Sequence, residues 1–536
     1  MSRVSDETYD YVVIGSGITG LFTAALLAND GAKVLVLERH YLVGGYAQSF
    51  PKNGYLFCAG LHYVFNCLPD EDGGRFLRRI GLADTVRFSP MSPDGFDRVR
   101  FPSLSYDIVS GAPANVERLS RLFPKQHESL RTYYDTLGAI YREAFTVPVD
   151  VPIAAFLRHP LRLRHLLRYR NVRTREFMER LGMPTELRDV LSAQCGNIGV
   201  PPERSSFLAH ALNVMAYDQG ACFPTYGYHH MLSAIARVVR KAKGCKIRLE
   251  TPAEEIVVEG GRAVAVRLRG GELVRTKNVL LNADPKLFPS LVQNRLPWTY
   301  RRRLAFEHSA ASYTLYIGLR GVDLRAHGFG SHNVWHFPQH DLDEVYRRQL
   351  EQGDVSDPFF AITTPTLHGR SKKKIAPDGC EQMVLCTWAG YDDVAREKAT
   401  DETAYRARKT RLAERALDLL ERHYIGGVRA HVDVLEVGTP TTNEDYVAAP
   451  VGASYGASLT PGHVNLGKLG FETPLPNVVM ANATSGMPGL GGAFRTSLTL
   501  HARLTRNPAL EAELLAPRAL RSPLKFDDAL ADTPIS

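Results

Sequence analysis

The sequence predicts an α/β fold in which one βαβ unit near the N-terminus organises the rest of the chain. Three observations carry this. An apolar run, Tyr9-Asp10-Tyr11-Val12-Val13-Ile14, leads into a glycine turn, Gly15-Ser16-Gly17-Ile18-Thr19-Gly20. A run of good helix formers from Leu21 to Ala28 stops at Asn29-Asp30-Gly31, and a second apolar strand, Lys33 to Leu37, ends in Glu38. Much later, between 245 and 284, short alternating apolar runs separated by Gly270-Gly271 suit an antiparallel meander.

Each part of the first unit has a physical task. Gly15 permits the tight turn, Gly17 lets the backbone approach a pyrophosphate, and Gly20 lets the helix pack closely on the strand. The free N–H groups at the helix start face the phosphates. Glu38, at about the expected offset of 20 residues, accepts from ribose hydroxyls. Ser16 and Thr19 in the turn, and Arg39 beside Glu38, complete the expected dinucleotide set. Just downstream, Gly44-Gly45 continues the phosphate-side loop as in one large class of flavoproteins. NAD-dependent dehydrogenases usually lack that pair, so FAD is the expected cofactor.

Composition bounds the remainder. The 536 residues hold enough apolar material for two or three domains' worth of core, with 44% hydrophobic and 23% charged residues. Seven cysteines without a Cys-x-x-Cys support neither a zinc ribbon nor a disulfide scaffold, and no metal is expected. The first residues lack the pattern of a signal peptide, and no run of about 20 apolar residues occurs. A reduced, cytoplasmic location follows as the expectation, without a transmembrane helix.

The segment Gly54-Tyr55-Leu56-Phe57-Cys58-Ala59-Gly60-Leu61-His62-Tyr63 resembles the phytoene desaturase, carotenoid isomerase and retinol saturase family of flavoproteins. In that family a Gly-Tyr/Phe-x-Phe-Asp-x-Gly segment follows the glycine pair, and the His-Tyr after it is similar to the retinol saturase branch. Cys58 replaces the usual Asp. Phe223-Pro224-Thr225-Tyr226-Gly227 resembles the family's aromatic-Pro-x-Gly-Gly turn, with Tyr226 in place of the first glycine. Asn282-Ala283-Asp284, Thr439-Pro440-Thr441-Thr442-Asn443, Pro450 to Gly456 and Gly489-Leu490-Gly491-Gly492-Ala493 are similar to family motifs as well. The resemblance implies that Gly491, Gly492 and Ala493 bring a helix N-terminus to the flavin, and that Asn482 or Thr484 stands where an Asp contacts the ribityl chain.

Other elements follow in order. Residues 120–141 read as one helix with Tyr133 and Tyr134 in the core, and 229–243 as another. Strands are expected at 311–319, 359–363 and 383–388, and an amphipathic helix at 391–424. Residues 156–175 interleave Arg158, Arg162, Arg164, Arg168, Arg170, Arg173 and Arg175 with leucines. That is the pattern of an interfacial helix on anionic lipid, and peripheral membrane attachment is one expectation. A solvated helix packing its leucines on the body is the other. A nucleic-acid patch is set aside, since no binding fold accompanies the arginines.

The resulting division is a discontinuous Rossmann-like FAD domain (8–75, 220–290 and 430–506), an interleaved mixed α+β substrate domain (76–219 and 291–429), and a loose tail (507–536). The resemblance implies an FAD-dependent oxidoreductase on a lipophilic small molecule, a long apolar conjugated retinoid or carotenoid, saturating or isomerising a carbon–carbon double bond. One rival is a carotenoid desaturase running the redox step in reverse. Another is a non-catalytic lipid or prenyl carrier, which the intact glycine set disfavours. No second complete glycine triplet supports a built-in nicotinamide reductase, so an external electron donor or acceptor is expected. His62 and Tyr63, in a segment expected near the flavin, are the catalytic candidates for handling a proton. Tyr226, His229 and His230 are weaker ones.

Overall fold

The computed structural model describes residues 4–150, 160–370, 372–465, 467–518 and 520. Its first sheet runs in the order Ala253–Glu259, Arg262–Leu268, Leu273–Leu281, Val4–Ile14, Val34–Leu37, Lys246–Arg248, with Val478–Met480 added beside Leu273–Leu281. The strand Leu273–Leu281 changes character along its length. Val4–Ile14 pairs parallel along its whole length on one side, while on the other its start pairs antiparallel with Arg262–Leu268 and its end parallel with Val478–Met480. Burial alternates in the first half and becomes continuous at Val279-Leu280-Leu281. The sequence shows the same change, because a parallel strand covered on both faces needs an unbroken apolar run. One strand thus joins the meander to the βαβ unit.

Helix Ile18–Asn29 covers one face. Its ten residues Thr19 to Ala28 are all buried, and its small side chains admit the helix Gly489–Leu504 close alongside. Phe22 stacks between Phe76 and Phe494 at centroid distances of 4.7 and 4.9 Å. The other face packs Val12, Leu35 and Leu281 against Phe288, Leu296, Tyr300 and Phe306. Residues up to Phe306 therefore share the core of the first sheet, although the sequence division ends that domain at 290.

The second sheet runs Val432–Gly438, Ala311–Arg320, Cys380–Ala389, Phe360–Thr363, Asn333–His336, Asp97–Arg100, Ser105–Ile108. All its pairs are antiparallel except Asn333–His336 with Asp97–Arg100. The strand Val432–Gly438 lies within a segment that the sequence division gives to the FAD domain, yet it pairs along Ala311–Arg320 here.

Several helix boundaries differ from expectation. Residues 120–141 belong to two helices, Ala112–Leu122 and His127–Ala144, because Pro124 cannot continue the first. Tyr133 and Tyr134 are buried, as expected. The 391–424 stretch is also two helices, Asp392–Thr400 and Glu402–His423. Asp401 leaves helical geometry at φ −148° and its carboxylate caps the second, accepting from Ala404 N at 2.9 Å.

The arginine-rich stretch is not one helix. Residues 151–159 lie outside the described residues, so the start of that expectation does too. Beyond them come Arg164–Tyr169 and Thr174–Arg180, with a break between. Leu163, Leu166 and Tyr169 are buried in a cluster with Tyr133, Phe177 and Phe207. The apolar face is thus spent on the body, while Arg162, Arg164, Arg168, Arg170 and Arg173 stay exposed and Leu161 is 88% exposed. Among the described residues no helix is long and apolar enough to cross a membrane. All seven cysteines are free. The tail is tied down further than expected. Helix Pro508–Leu515 follows Asn507, and the Arg518 guanidinium reaches Asn66 Oδ1 at 3.0 Å and the buried Asp72 carboxylate.

Candidate functional site

A cavity of about 550 Å³ opens at the C-terminal ends of Val4–Ile14, Val34–Leu37 and Leu273–Leu281, and it extends to the face of the second sheet. This is the crevice in which open α/β sheets bind ligands. Asn282, directly after the third of these strands, shapes it. A Cβ on Gly15 would meet Asn282 O at 2.8 Å, one on Gly17 would meet Asn282 Oδ1 at 2.6 Å, and one on Gly20 would meet Asn282 Cβ at 2.6 Å. Asn282 Oδ1 is buried with no hydrogen-bond partner. All three glycines are thus required by one neighbour that the sequence marks only as part of a family-like triplet. Gly44, at φ +116°, donates to Ser16 O at 2.9 Å and bridges to Gly17, which folds the Gly44-Gly45 loop over the turn.

The helix Ile18–Asn29 has no side-chain cap, so the N–H groups of its first turn are open toward the cavity. Thr19 lines the cavity. Ser16 does not. It is fully buried and holds Glu38 instead, donating from N at 2.8 Å and from Oγ at 2.6 Å to Oε2, while His40 N donates to Oε1 at 2.8 Å. Arg39 lines the cavity, and its guanidinium donates to Glu444 O at 3.0 Å and to Asp445 O, pinning the helix Pro440–Val447 beside Glu38. An uncapped helix start, a glycine cradle without side chains and a positioned carboxylate fit a dinucleotide.

At the other end, Asn482 and Thr484 both line the cavity, but their side chains are engaged. Asn482 Nδ2 donates to Ala283 O at 2.9 Å and its Oδ1 accepts from Ser485 N at 3.0 Å. Thr484 Oγ1 accepts from Ala457 N at 3.1 Å. The helix Gly489–Leu504 also starts without a side-chain cap and presents Pro488 and Gly489 to the cavity. Gly491, Gly492 and Ala493 stand just behind. A Cβ on Gly491 would strike Phe65 O at 2.6 Å, one on Gly492 would strike Met487, and Ala493 is core.

His62 lines this cavity and a smaller one of about 180 Å³ beside it. Burial pulls its imidazole down to about 4, so it is neutral at pH 7. Tyr63 is committed elsewhere. Its hydroxyl donates to Asp97 Oδ2 at 2.7 Å and accepts from Asn197 Nδ2 at 2.7 Å. Asp97 is fully buried and also accepts from Gln194 Nε2 at 2.7 Å and Asn333 Nδ2 at 3.0 Å. Burial pushes this carboxyl up, and the donors oppose that. Sequence reasoning missed Asp97, because its donors are scattered from 63 to 333. Tyr226, His229 and His230 line neither cavity. Tyr226 packs on His230 under the Lys374 ammonium, and His229 is exposed. Cys58 brings no charge where an Asp is usual, since burial pushes its thiol up to about 11. The second sheet contributes Ser312, Thr314, Asn333, Trp335, Ile362, Thr363 and Trp388 to the large cavity, and Phe359 joins them from just before the strand Phe360–Thr363.

A two-sheet fold with this dinucleotide crevice facing an uncharged wall that carries two tryptophans is that of a flavin-dependent oxidoreductase. The chain belongs to the flavin-containing amine oxidoreductase family, whose profile it matches over residues 18–499. Its cofactor is FAD, and a non-catalytic carrier is thereby set aside. It is similar to all-trans-retinol 13,14-reductase of Danio rerio, at 27% identity over 96% of this chain and 89% of that protein. The Homo sapiens protein of the same name is 27% identical over 92% and 85%. A chloroplastic prolycopene isomerase of Daucus carota is 25% identical over 91% and 79%. Among solved structures, an oxidoreductase from Methanosarcina mazei superposes with a TM-score of 0.60 at 16% identity, covering 91% of this chain and 99% of that one. A putrescine oxidase bound to putrescine gives 0.63 at 14%, covering 94% and 100%. These two likenesses describe the fold.

Proposed function

We propose that the protein moves a hydride equivalent to or from a carbon of a long apolar conjugated polyene, a retinoid or carotenoid, and so saturates or isomerises a carbon–carbon double bond. The observation that carries this reading is the wall contributed by the second sheet. Trp335, Ile362 and Trp388, with Phe359 beside them, supply its apolar surface next to the uncharged Ser312, Thr314, Asn333 and Thr363, and it holds no charged side chain. Such a wall suits an extended hydrocarbon and offers no carboxylate to an alkylammonium. The similarity to proteins named all-trans-retinol 13,14-reductase and prolycopene isomerase supports the same substrate class.

Bound FAD supplies the two-electron chemistry. The chain's own residues do the rest. The open N–H groups of the two helix starts and the Glu38 carboxylate would hold the cofactor. The aromatic wall excludes water. His62, neutral and turned to the cavity, orients a solvent-derived proton toward the second carbon in saturation, or accepts the proton released in desaturation, and does not act as an imidazolium acid. The buried Asp97 carboxylate holds Tyr63 in place beside it. Saturation draws electrons from an external donor, and desaturation by the same geometry passes them to an external acceptor.

Anaerobic incubation of the yellow protein with retinoids and carotenoids, before and after chemical reduction, tests the reading by product mass. Gain of two hydrogens marks saturation, loss marks desaturation, and unchanged mass with altered retention marks isomerisation. Recovery of every polyene unchanged, together with turnover of amines, would overturn it.

A further inference from the structure

The smaller cavity, of about 180 Å³, shares Gly60 to Tyr63, Asn197, Tyr455 and Met487 to Gly489 with the large one. It is below the roughly 300–1,000 Å³ of ordinary ligand sites, so it suits the end of a chain and not a whole ligand. Tyr141, Phe145, Leu212, Ala216 and Tyr217 make most of it apolar. Lys468 interrupts that lining.

A lysine ammonium carries three donors, and an apolar surrounding makes each unused one costly. Among the described residues, Lys468 Nζ makes one hydrogen bond, to Gly486 O at 2.8 Å, and no ion pair. Asp150 is the nearby charge that favours the ammonium, but Arg503 already holds that carboxylate with both terminal nitrogens, one of them at 2.6 Å. Burial pulls the Lys468 amine down to about 8. A half-buried positive group with spare donors therefore stands in a chain-sized, largely apolar space that His62 also lines.

We propose that Lys468 binds an oxygen at the terminus of the polyene. The preferred substrate is then a polyene ending in a carboxylate or hydroxyl, and hydrocarbon carotenes are poor ligands. This rests on the polyene reading above. It predicts that the chain end lies in the smaller cavity while the conjugated part passes His62 into the larger one.

Equilibrium titration of the FAD-loaded protein tests it with three probes: all-trans-retinoic acid, all-trans-retinol, and the hydrocarbon in which a methyl replaces the alcohol carbon's CH2OH. The wild type should bind the acid or the alcohol about 10- to 100-fold more tightly than the hydrocarbon, the range of a charge-assisted hydrogen bond. The ratio of acid to alcohol identifies which oxygen is preferred. Lys468→Met should erase the preference and leave the hydrocarbon's affinity and the flavin content unchanged. Should that variant fail to hold FAD, Lys468→Gln, which keeps a donor for Gly486, is read in the same way. Equal wild-type affinities for all three probes would overturn the assignment, as would a preference that survives in the variants. Because the readout is binding, it is separate from the reaction. Preference without turnover sinks the proposed chemistry, whereas turnover without preference sinks only the lysine.

Discussion

His62 and Tyr63 are adjacent in the chain and opposite in circumstance. His62 faces the cavity as a neutral ring, while the Tyr63 hydroxyl is locked between Asp97 and Asn197. His62→Gln should keep the yellow colour and the fold yet slow polyene turnover by about 100- to 10,000-fold, the usual contribution of a positioned proton-handling group. A normal rate per bound flavin would remove His62 from the reaction. Tyr63→Phe should do the reverse. It deprives a buried carboxylate of one donor, which costs about 1–3 kcal/mol of stability, and should leave the rate per flavin within a few-fold of the wild type. Denaturant titration beside rate measurement on both variants separates the roles.

At the scale of elements, the arginine-rich stretch invites a definite test. Helix Arg164–Tyr169 buries Leu166, with Leu163 buried just before it, and the exposed arginines stand beside an exposed Leu161. Another exposed apolar residue, Trp298, at 61%, likewise lies near arginines, with Arg302 over its ring at 5.4 Å. If these surfaces meet anionic lipid, each arginine contributes on the order of 1 kcal/mol, weakened by salt. Replacing Arg162, Arg164 and Arg168 with Gln should then reduce flotation with anionic liposomes severalfold and leave flotation with neutral ones unchanged. Flotation of the triple variant equal to wild type would show that the arginines serve solubility alone. These side chains are exposed, so the substitutions leave the buried leucine contacts intact.

The whole molecule carries an acid sensitivity. Burial holds His62, His332 and His336 at about 4, and His210 and His368 at about 3. Unfolding returns each to its ordinary value near 6.5, so the unfolded chain takes up more protons than the folded one below that pH. Stability from these groups is full above about 6.5 and is lost as pH falls toward the folded values. Asp218, raised to about 7, Asp343, raised to about 6, and Asp97 and Asp189, also raised by burial, oppose this, because their folded forms keep protons that the unfolded chain releases. The histidines are more numerous, so the melting temperature of the FAD-loaded protein should drop between pH 6.5 and 4.5. An equal or higher melting temperature at pH 5 than at pH 7 would contradict the assignment of these rings as neutral and buried.

How much of this was legible beforehand divides along a physical line. The turn from Gly15 to Gly20, the strands around it, Glu38 and the Gly44-Gly45 loop are written locally, since backbone sterics and a 2- or 3.6-residue period act over a few neighbours. The FAD cofactor could be read from those residues alone, and the polyene expectation came from a family resemblance that short motifs carry. What the chain could not show locally are meetings between distant residues. Asn282 fills the space three glycines leave, Asp97 collects donors from 63, 194 and 333, and Lys468 stands in a cavity with His62. Strand Val432–Gly438 joined the second sheet because edge pairing with Ala311–Arg320 was available there, which no local period encodes. The leucines among the arginines turned inward because Tyr133, Phe177 and Phe207 offered a surface to bury against. Local rules decided the elements and the cofactor fingerprint. Burial and pairing across hundreds of residues decided which polar groups face the cavity and which are used up holding it together.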